Sequence, residues 1–307
     1  MLDAKSPRHH IGLATALALV ATGVIALGAG SQPQPAVAEV VHLSGYRATV
    51  LGWTSWYGSY GLGPLGAGWC IDHGLLAPDA AHGYVPATVN DADPDTRAAM
   101  AWIVANGSNA DRITSAAVML ALHDLMGATY PFGRLDVDRM SLANLGGFAG
   151  DEFWVLERAR QLKAEGRARA PLRAPFRLDL QAPPTAPGGV GVVSVRLVDA
   201  AGAPVPGIAV HLSAGSAVLA PAEVVTGSDG AATAAFTAGP GRNTFDATTR
   251  LPDPDLRAFA PTRAVAQRIV QPGWLDVSGH TEFPYAPPTT TSTTTTRPPT
   301  TTTTSTT

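Results

Sequence analysis

Cys70 is the residue of this chain whose chemistry is simplest to state, because it is the single cysteine among 307 residues. It lies in the segment Gly66-Ala67-Gly68-Trp69-Cys70-Ile71-Asp72-His73-Gly74. A thiol becomes a nucleophile when a base, and a group that orients that base, are brought to it. The candidate bases and orienting groups are His73, His82, His123, Asp72 and Asp124. No cysteine-peptidase signature surrounds Cys70. Free cysteine is also often a small buried hydrophobe, so both interpretations stay open.

Aromatic side chains are concentrated just before Cys70. The Trp and Tyr residues of this stretch are Tyr46, Trp53, Trp56, Tyr57, Tyr60 and Trp69. Flat rings stack on sugar faces and are enriched where proteins bind partners, so this cluster is a candidate binding surface. The same rings could instead fill the core of a small domain. Because the segment from Trp53 to Tyr60 does not alternate strictly, we expect some of these rings to be exposed.

Two segments of the chain resemble a known pair of motifs. Cys70-Ile71-Asp72 is followed by Thr114-Ser115-Ala116-Ala117-Val118-Met119. They resemble the thioester domains of Gram-positive surface adhesins, in which an early Cys bonds to the Gln of a T-Q-x-A-I-W helix motif and captures host amines. The resemblance spans about residues 46–145 and implies an adhesin-like head. Ser115 stands where the Gln should be, and a hydroxyl has no carboxamide to condense with a thiol, so the internal thioester is not expected.

Helices and strands are predicted to hold these residues in place. The first helix begins at Asp93-Pro94-Asp95 and ends at Asn106-Gly107. The second begins after Asn109 or Asp111, ends at Gly127 and carries both Ser115 and His123, and the third extends from Asp151 to Gly166. We therefore predict an α+β head domain over residues 39–167, followed by a Pro/Ala/Arg linker over 168–175.

From Phe176 the hydrophobic period changes to two, which is typical of antiparallel strands. The segments 198–207 and 226–232 contain the patterns D-x-x-G-x-P-V-x-G and T-x-x-x-G. They resemble the bacterial immunoglobulin-like repeats of invasin/intimin-type surface proteins. The resemblance implies an all-β immunoglobulin-like sandwich over 176–271 that spaces or presents another domain and carries no catalytic residues.

The two ends of the chain predict export. Residues 1–38 combine basic residues, an apolar run and the site Ala36-Val37-Ala38, which together form a secretory signal peptide. An uncleaved membrane anchor is the alternative. After a linker over 272–288, the Thr/Pro tract 289–307 predicts a disordered stalk. We expect a protein that is secreted or held at the cell surface or cell wall, with no membrane span after signal cleavage.

Composition excludes several classes of function. A formal net charge of −3 removes the electrostatic attraction that drives nucleic-acid binding. One cysteine cannot build a multi-thiolate metal site. The acids at Asp91, Asp93 and Asp95 lack the later Glu of a calcium loop. We therefore expect no metal and no cofactor, and the Arg, Ala, Gly and Pro bias indicates a GC-rich, actinobacterial-type origin.

The preferred hypothesis is an exported, adhesin-like cell-surface protein without catalysis, whose head recognises an unidentified surface protein or glycan and whose sandwich is a spacer. One alternative is a Cys70-dependent enzyme or covalent binder that uses His73 or His123. The other is a cell-envelope glycan-binding protein that uses the Trp/Tyr cluster. The candidate binding residues are Cys70, Trp69, His73, His123, Ser115, Trp53, Trp56 and Tyr57.

Overall fold

The computed structural model describes residues 40–107, 111–263 and 265–284. The predicted signal peptide and the Thr/Pro stalk lie outside these residues. Within the described part of the chain, every helix is too short or too polar to cross a membrane. The predicted order of an α+β head followed by a β-sandwich is confirmed.

The head contains three α-helices and a large sheet. The helices are α1 (Pro94–Asn106), α2 (Arg112–Leu125) and α3 (Glu152–Arg169). The strands from this half of the chain are β1 (Val41–Val50), β2 (Trp53–Gly61), β3 (Ala67–Cys70), β4 (Tyr84–Ala87), β5 (Thr129–Tyr130), β6 (Gly133–Arg134) and β7 (Leu145–Gly146). The side chain of Asp93 accepts the N–H of Thr96 at the start of α1, and Asp111 caps α2 in the same way. These carboxylates satisfy N–H groups that have no partner within the helix.

The sandwich consists of two four-stranded antiparallel sheets. Its strands are β8 (Arg177–Gln181), β9 (Val190–Val198), β10 (Ala209–Ala214), β11 (Val218–Ala220), β12 (Glu223–Val225), β13 (Ala231–Thr237), β14 (Asn243–Pro252) and the last strand, β17 (Trp274–Phe283). The sheet orders are β12-β10-β14-β17 and β11-β13-β9-β8. Alternate apolar side chains from both sheets meet between them, and the rings of Phe236, Phe245 and Phe283 pack against one another at the centre.

The chain leaves the sandwich between β14 and its last strand and returns to the head. The segment between Pro252 and Trp274 is called the excursion. Its two strands, β15 (Arg257–Pro261) and β16 (Ile269–Gln271), join the head sheet, whose order is β4-β15-β16-β3-β2-β1-β7. The chain then re-enters the sandwich as β17 (Trp274–Phe283), which pairs along the whole of β14. The structure differs from the predicted sandwich over 176–271, because β15 and β16 join the head sheet, and from the predicted linker over 272–288, because β17 is a strand of the sandwich. Alternating apolar residues show that a strand has one buried face, but they do not show which sheet it joins.

An ion-pair cluster fastens the excursion to the head. The guanidinium of Arg268 donates to Asp72 (Nη2 to Oδ1, 2.6 Å; Nε to Oδ2, 2.8 Å) and to Asp91 (Nη1 to Oδ1, 2.7 Å). Hydrogen bonds to these two carboxylates raise the pKa of Arg268, and the same contact lowers the pKa of Asp91. Bidentate contacts between a guanidinium and a carboxylate stabilise the contact and also fix the relative orientation of the two groups. They hold β16 in register beside β3, where Ile269 lies opposite Cys70.

Gly166, predicted to end the third helix, lies inside α3 where that helix contacts α1. A Cβ at this position would lie 2.8 Å from the carbonyl oxygen of Ala99 and 3.0 Å from Cγ1 of Ile103. In an uncrowded helix, replacement of Gly by Ala stabilises by about 1 kcal/mol. At Gly166 we expect the close contact to reverse the sign, so that Gly166→Ala destabilises the protein by about 1–3 kcal/mol.

Denaturant unfolding of the Gly166→Ala variant measures this effect. Gly146→Ala is the control, because no atom lies within 4 Å of the Cβ position at Gly146. Equal stability of Gly166→Ala and the unmodified protein would show that the two helices do not pack as closely as described.

Candidate functional site

Cys70 lies at the end of β3 and is completely buried. Its neighbours are core residues of the head, and the hydroxyl of Tyr60 is hydrogen-bonded to the thiol. Burial raises the pKa of Cys70 well above its usual value, and the hydrogen bond from Tyr60 opposes this effect only in part. Because the thiolate is the reactive form, a buried cysteine with a raised pKa is inert.

The direction of the Cys70 side chain separates it from Ser115. Successive residues of a strand point to opposite faces of the sheet. Trp69 points towards α2, where its Nε1 donates to the carbonyl oxygen of Ser115 at 3.0 Å. Cys70 therefore points to the other face, with Tyr60. Among the described residues the buried hydroxyl of Ser115 has no hydrogen-bond partner, so it does not contact the thiol.

Two glutamines that no sequence motif indicated, Gln267 and Gln271, are buried between β15 and β17, close to β3. The Nε2 of Gln271 donates to the carbonyl oxygens of Leu65 (2.7 Å) and Ala67 (3.1 Å), near the start of β3. The Nε2 of Gln267 donates to the carbonyl oxygen of Leu75 at 3.4 Å. Both amide groups thus connect the excursion to the backbone of the head.

His73 and His123, two of the predicted bases, lie next to each other in the structure. Their ring centroids lie 6.0 Å apart, and the ring of Tyr130 stacks on His73 at 3.5 Å. Nδ1 of His73 is 2.9 Å from the carbonyl oxygen of Thr129, and Nδ1 of His123 is 2.7 Å from the hydroxyl of Tyr130. Neither imidazole is hydrogen-bonded to Cys70 in the described part of the chain.

The hydrogen bond of His73 fixes the tautomer of that ring. The carbonyl oxygen of Thr129 can only accept, so Nδ1 of His73 carries the proton. The partner of Nδ1 of His123 is the hydroxyl of Tyr130, a group that can either donate or accept. In both rings the Nε2 atom is buried and has no hydrogen-bond partner among the described residues.

Both imidazoles are neutral at neutral pH. Burial, together with the nearby His73, lowers the pKa of His123 to about 3, and burial lowers the pKa of His73 as well. A general base must reach a proton of the substrate, and His123, near the end of α2, is buried. The pair therefore connects the segment after β3 to α2 and β5 as part of the core.

The rings of the predicted aromatic binding surface are partly buried in the core and partly exposed to solvent. Tyr57 and Trp69 are buried, and Trp56 is half-buried with its ring stacked on His42 at a centroid distance of 4.4 Å. Trp53 keeps two fifths of its surface exposed and contacts His73 with an edge-to-face geometry. Of Trp53, Trp56 and Trp69, only Trp53 is exposed to solvent.

A second polar cluster, which the sequence did not reveal, surrounds Lys163 on α3. Oxygen atoms of Asp124, Asp136 and Asp138 lie within 4.8 Å of one another. Nζ of Lys163 lies 2.7 Å from Oδ2 of Asp124 and 2.7 Å from Oδ2 of Asp138. Burial opposes the charge on Lys163, but hydrogen bonds to these two carboxylates outweigh it and raise the pKa of Lys163. The ammonium group thus occupies the position in which three carboxylates would hold a cation.

An exposed aromatic pair lies at the start of α3. Phe153 is 49% exposed and Trp154 is 60% exposed, and their rings meet edge to face with centroids 5.0 Å apart. Leu142, from a 3-10 turn (Leu142–Asn144) that contacts α3, is also exposed. Large apolar side chains grouped on a surface are typical of interaction sites. No pattern in the sequence indicates that this pair is exposed.

Comparisons with known proteins return solved structures alone. No protein-family model matches the chain, and no curated protein matches it. A thioester domain of the Enterococcus faecium TIE86 protein is 12% identical with a TM-score of 0.33, over 82% of this chain and 97% of that one. The Bacillus anthracis TIE protein is 10% identical with a TM-score of 0.35, over 80% of this chain and 49% of that one. The D00-D0 domain of intimin is 10% identical with a TM-score of 0.24, over 38% of this chain and 50% of that one. They include the two classes that the sequence resembles.

Proposed function

We propose that the protein is an adhesin-like protein, exported to the cell surface, that binds its partner through the surface of the head and without a catalytic or covalent step. The main support is the enclosure of Cys70, which is fully buried, has a raised pKa and is hydrogen-bonded to no imidazole among the described residues. A covalent reaction with a host amine or a substrate requires the sulfur atom to be reached. What the head offers to a partner is therefore its outer surface.

The exposed pair Phe153 and Trp154 is the best candidate contact on that surface. Aromatic residues are enriched in protein interfaces, whereas isolated surface patches of this kind are costly in water. A partner with an apolar pocket, such as a host or cell-surface protein, would bury both rings. The partner of this proposal is accordingly a protein.

The sandwich would act as a support for the head. The excursion makes two strands of the head sheet from the C-terminal half of the chain, and Arg268 fixes them to Asp72 and Asp91. A module joined in this way transmits force to the head through paired strands as well as through one linker. That arrangement suits a protein that must hold a partner at a surface.

The two alternative functions have less support. A Cys70-dependent enzyme or covalent binder would need the thiol to meet His73, His123 or Ser115, whereas Nδ1 of each histidine is within hydrogen-bond distance of another group and the hydroxyl of Ser115 has no partner among the described residues. A glycan site on the Trp/Tyr cluster would need several open rings, and of Trp53, Trp56 and Tyr57 only Trp53 is largely open.

Retention of protein-coated beads under flow tests the proposal. Beads that carry the full chain are passed over surfaces coated with fibrinogen, fibronectin or mucin, with albumin as the blank. We expect retention on at least one surface, and a loss of about tenfold or more in the double variant Phe153→Ser, Trp154→Ser, because buried aromatic residues dominate interface energies.

Two control variants make the result specific. Val218→Ser removes an exposed apolar side chain from the sandwich and should leave retention unchanged. Cys70→Ser should also leave it unchanged. Retention no better than that of the blank on every surface, or retention that depends on Cys70 and not on the aromatic pair, would contradict the proposal.

A further inference from the structure

A cleft of about 680 Å³ lies between α1 of the head and the sheet β12-β10-β14-β17 of the sandwich. Trp102 and Asn106 of α1 form one wall, and Trp274 at the start of β17 lies at the other side. This cleft is separate from Cys70, from the histidine pair and from the exposed aromatic pair. Its volume is in the range of sites that bind small molecules.

The floor of the cleft is a regular array of polar side chains on neighbouring strands. His211 lies opposite Thr248, and Thr248 lies opposite Ser278, so these three form one row across the sheet. Arg250 lies opposite Asp276 in the next row, with Nε of Arg250 3.1 Å from Oδ1 of Asp276. Because side chains alternate along a strand, all five point to the same outer face. The floor therefore combines hydroxyl, guanidinium, carboxylate and imidazole groups.

Each tryptophan of the cleft has a guanidinium group over one face of its ring. Cζ of Arg250 lies 5.2 Å from the ring centroid of Trp274, and Cζ of Arg169 lies 4.6 Å from that of Trp102. Trp274 remains two fifths exposed, so its other face is open. The Nε1 of Trp102 is buried and has no hydrogen-bond partner among the described residues. An unpaired buried donor costs free energy unless a ligand or a water molecule meets it.

This combination matches the chemistry of a sugar. A pyranose ring offers an apolar face that stacks on an indole, and hydroxyl groups around its edge that both donate and accept hydrogen bonds. The floor supplies acceptors and donors side by side, in Asp276, Arg250, Thr248 and Ser278. The facing charges of Arg250 and Asp276 balance, so the floor does not select a polyanion. Its polar rows equally disfavour a lipid chain.

We propose that the cleft between α1 and the sandwich binds a neutral oligosaccharide, with Trp274 as the stacking ring and the rows of β14 and β17 as hydrogen-bonding groups. One wall belongs to the head and the floor to the sandwich. A bound sugar therefore contacts both domains, and its binding free energy adds to the stability of the folded protein.

Titration of the full chain with three soluble probes tests this site. The probes are maltohexaose, cellohexaose and chitohexaose, and the readouts are tryptophan emission and isothermal calorimetry. We expect saturable binding of at least one probe. Trp274→Ala should weaken that binding by about tenfold or more, because a central aromatic contact carries much of the binding energy. Ser278→Arg, which places a long charged side chain on the exposed floor, should weaken it to a similar extent.

The matched control is Trp154→Ala, which removes an exposed tryptophan of the head that lies outside the cleft. It should leave sugar binding unchanged. Circular dichroism spectra and thermal midpoints in the absence of sugar establish that the Trp274→Ala and Ser278→Arg variants are folded. Failure of all three probes to bind, or binding that survives both cleft variants, would overturn the proposal. Because the exposed aromatic pair and the cleft are changed by different variants, either proposal can fail without the other.

Discussion

Replacement of Lys163 by Met is expected to destabilise the protein by about 3–5 kcal/mol. The side chain of Lys163 is 6% exposed and its ammonium group contacts Asp124 and Asp138, with Asp136 3.8 Å away. Removal of the ammonium group leaves a buried carboxylate on Asp124 that faces two further carboxylates. Loss of one partner from a buried pair costs much more than the pair contributes, because the remaining charge has no water around it. Chemical denaturation at neutral pH measures the loss.

Two further variants show whether the effect arises from the buried charge. Arg139→Met removes an 89% exposed partner of Asp136 and should change stability by less than about 0.5 kcal/mol. Asp124→Asn in the Lys163→Met background should recover part of the loss, because an amide can still accept the backbone N–H of Val137. A Lys163→Met variant no less stable than Arg139→Met would mean that the three carboxylates are not held as described.

Acidification is expected to destabilise the protein through His123 before most carboxylates protonate. The pKa of His123 is lowered to about 3 in the folded chain, whereas an unfolded histidine has a pKa near 6.5. Above about pH 6.5 both states are neutral, and the stability is fully present. As the pH falls from there towards about 3, the unfolded chain binds a proton that the folded chain does not, so stability is lost. Between about pH 7 and about pH 4.5 the loss from His123 alone is about 2–3 kcal/mol.

His123→Gln isolates this contribution. Its stability should be lower at neutral pH, because the packing around Tyr130 is disturbed, but the fall towards pH 4.5 should be shallower than in the unmodified protein by the amount given above. Val218→Ser, which changes an exposed residue without a titratable group, is the control and should leave the slope unchanged. Parallel stability curves for His123→Gln and the unmodified protein across this range would show that His123 is not held neutral by burial.

Features that depend on neighbouring residues could be predicted from the sequence. The capping carboxylates of Asp93 and Asp111 act on N–H groups two or three residues away, so their spacing is visible in the chain. The alternation around Val193 and Val210 likewise follows from the two-residue period of a half-buried strand. These local patterns indicated the α+β head and the sandwich.

Features that depend on distant residues could not be predicted. Arg268 meets Asp72 across 196 positions of sequence, and Lys163 meets Asp124 across 39. A charged residue on a helix or in a loop has the same appearance in sequence whether it faces solvent or a buried carboxylate. The sequence also placed Cys70 close to His73, three residues away, although strand geometry directs the thiol to the face opposite α2. Proximity in sequence therefore did not show which face of the sheet carries the thiol.

Labelling of the native thiol with a chromogenic disulfide shows whether Cys70 is accessible, and therefore whether the head can use the chemistry of this residue to recognise its partner. The measurement follows the reaction of the folded full chain at neutral pH, and then of the same protein in concentrated guanidinium chloride. Because the thiol is completely buried and its pKa is raised, we predict no labelling of the folded protein and one equivalent after unfolding. Stoichiometric labelling of the folded protein at the rate of an exposed thiol would contradict this account.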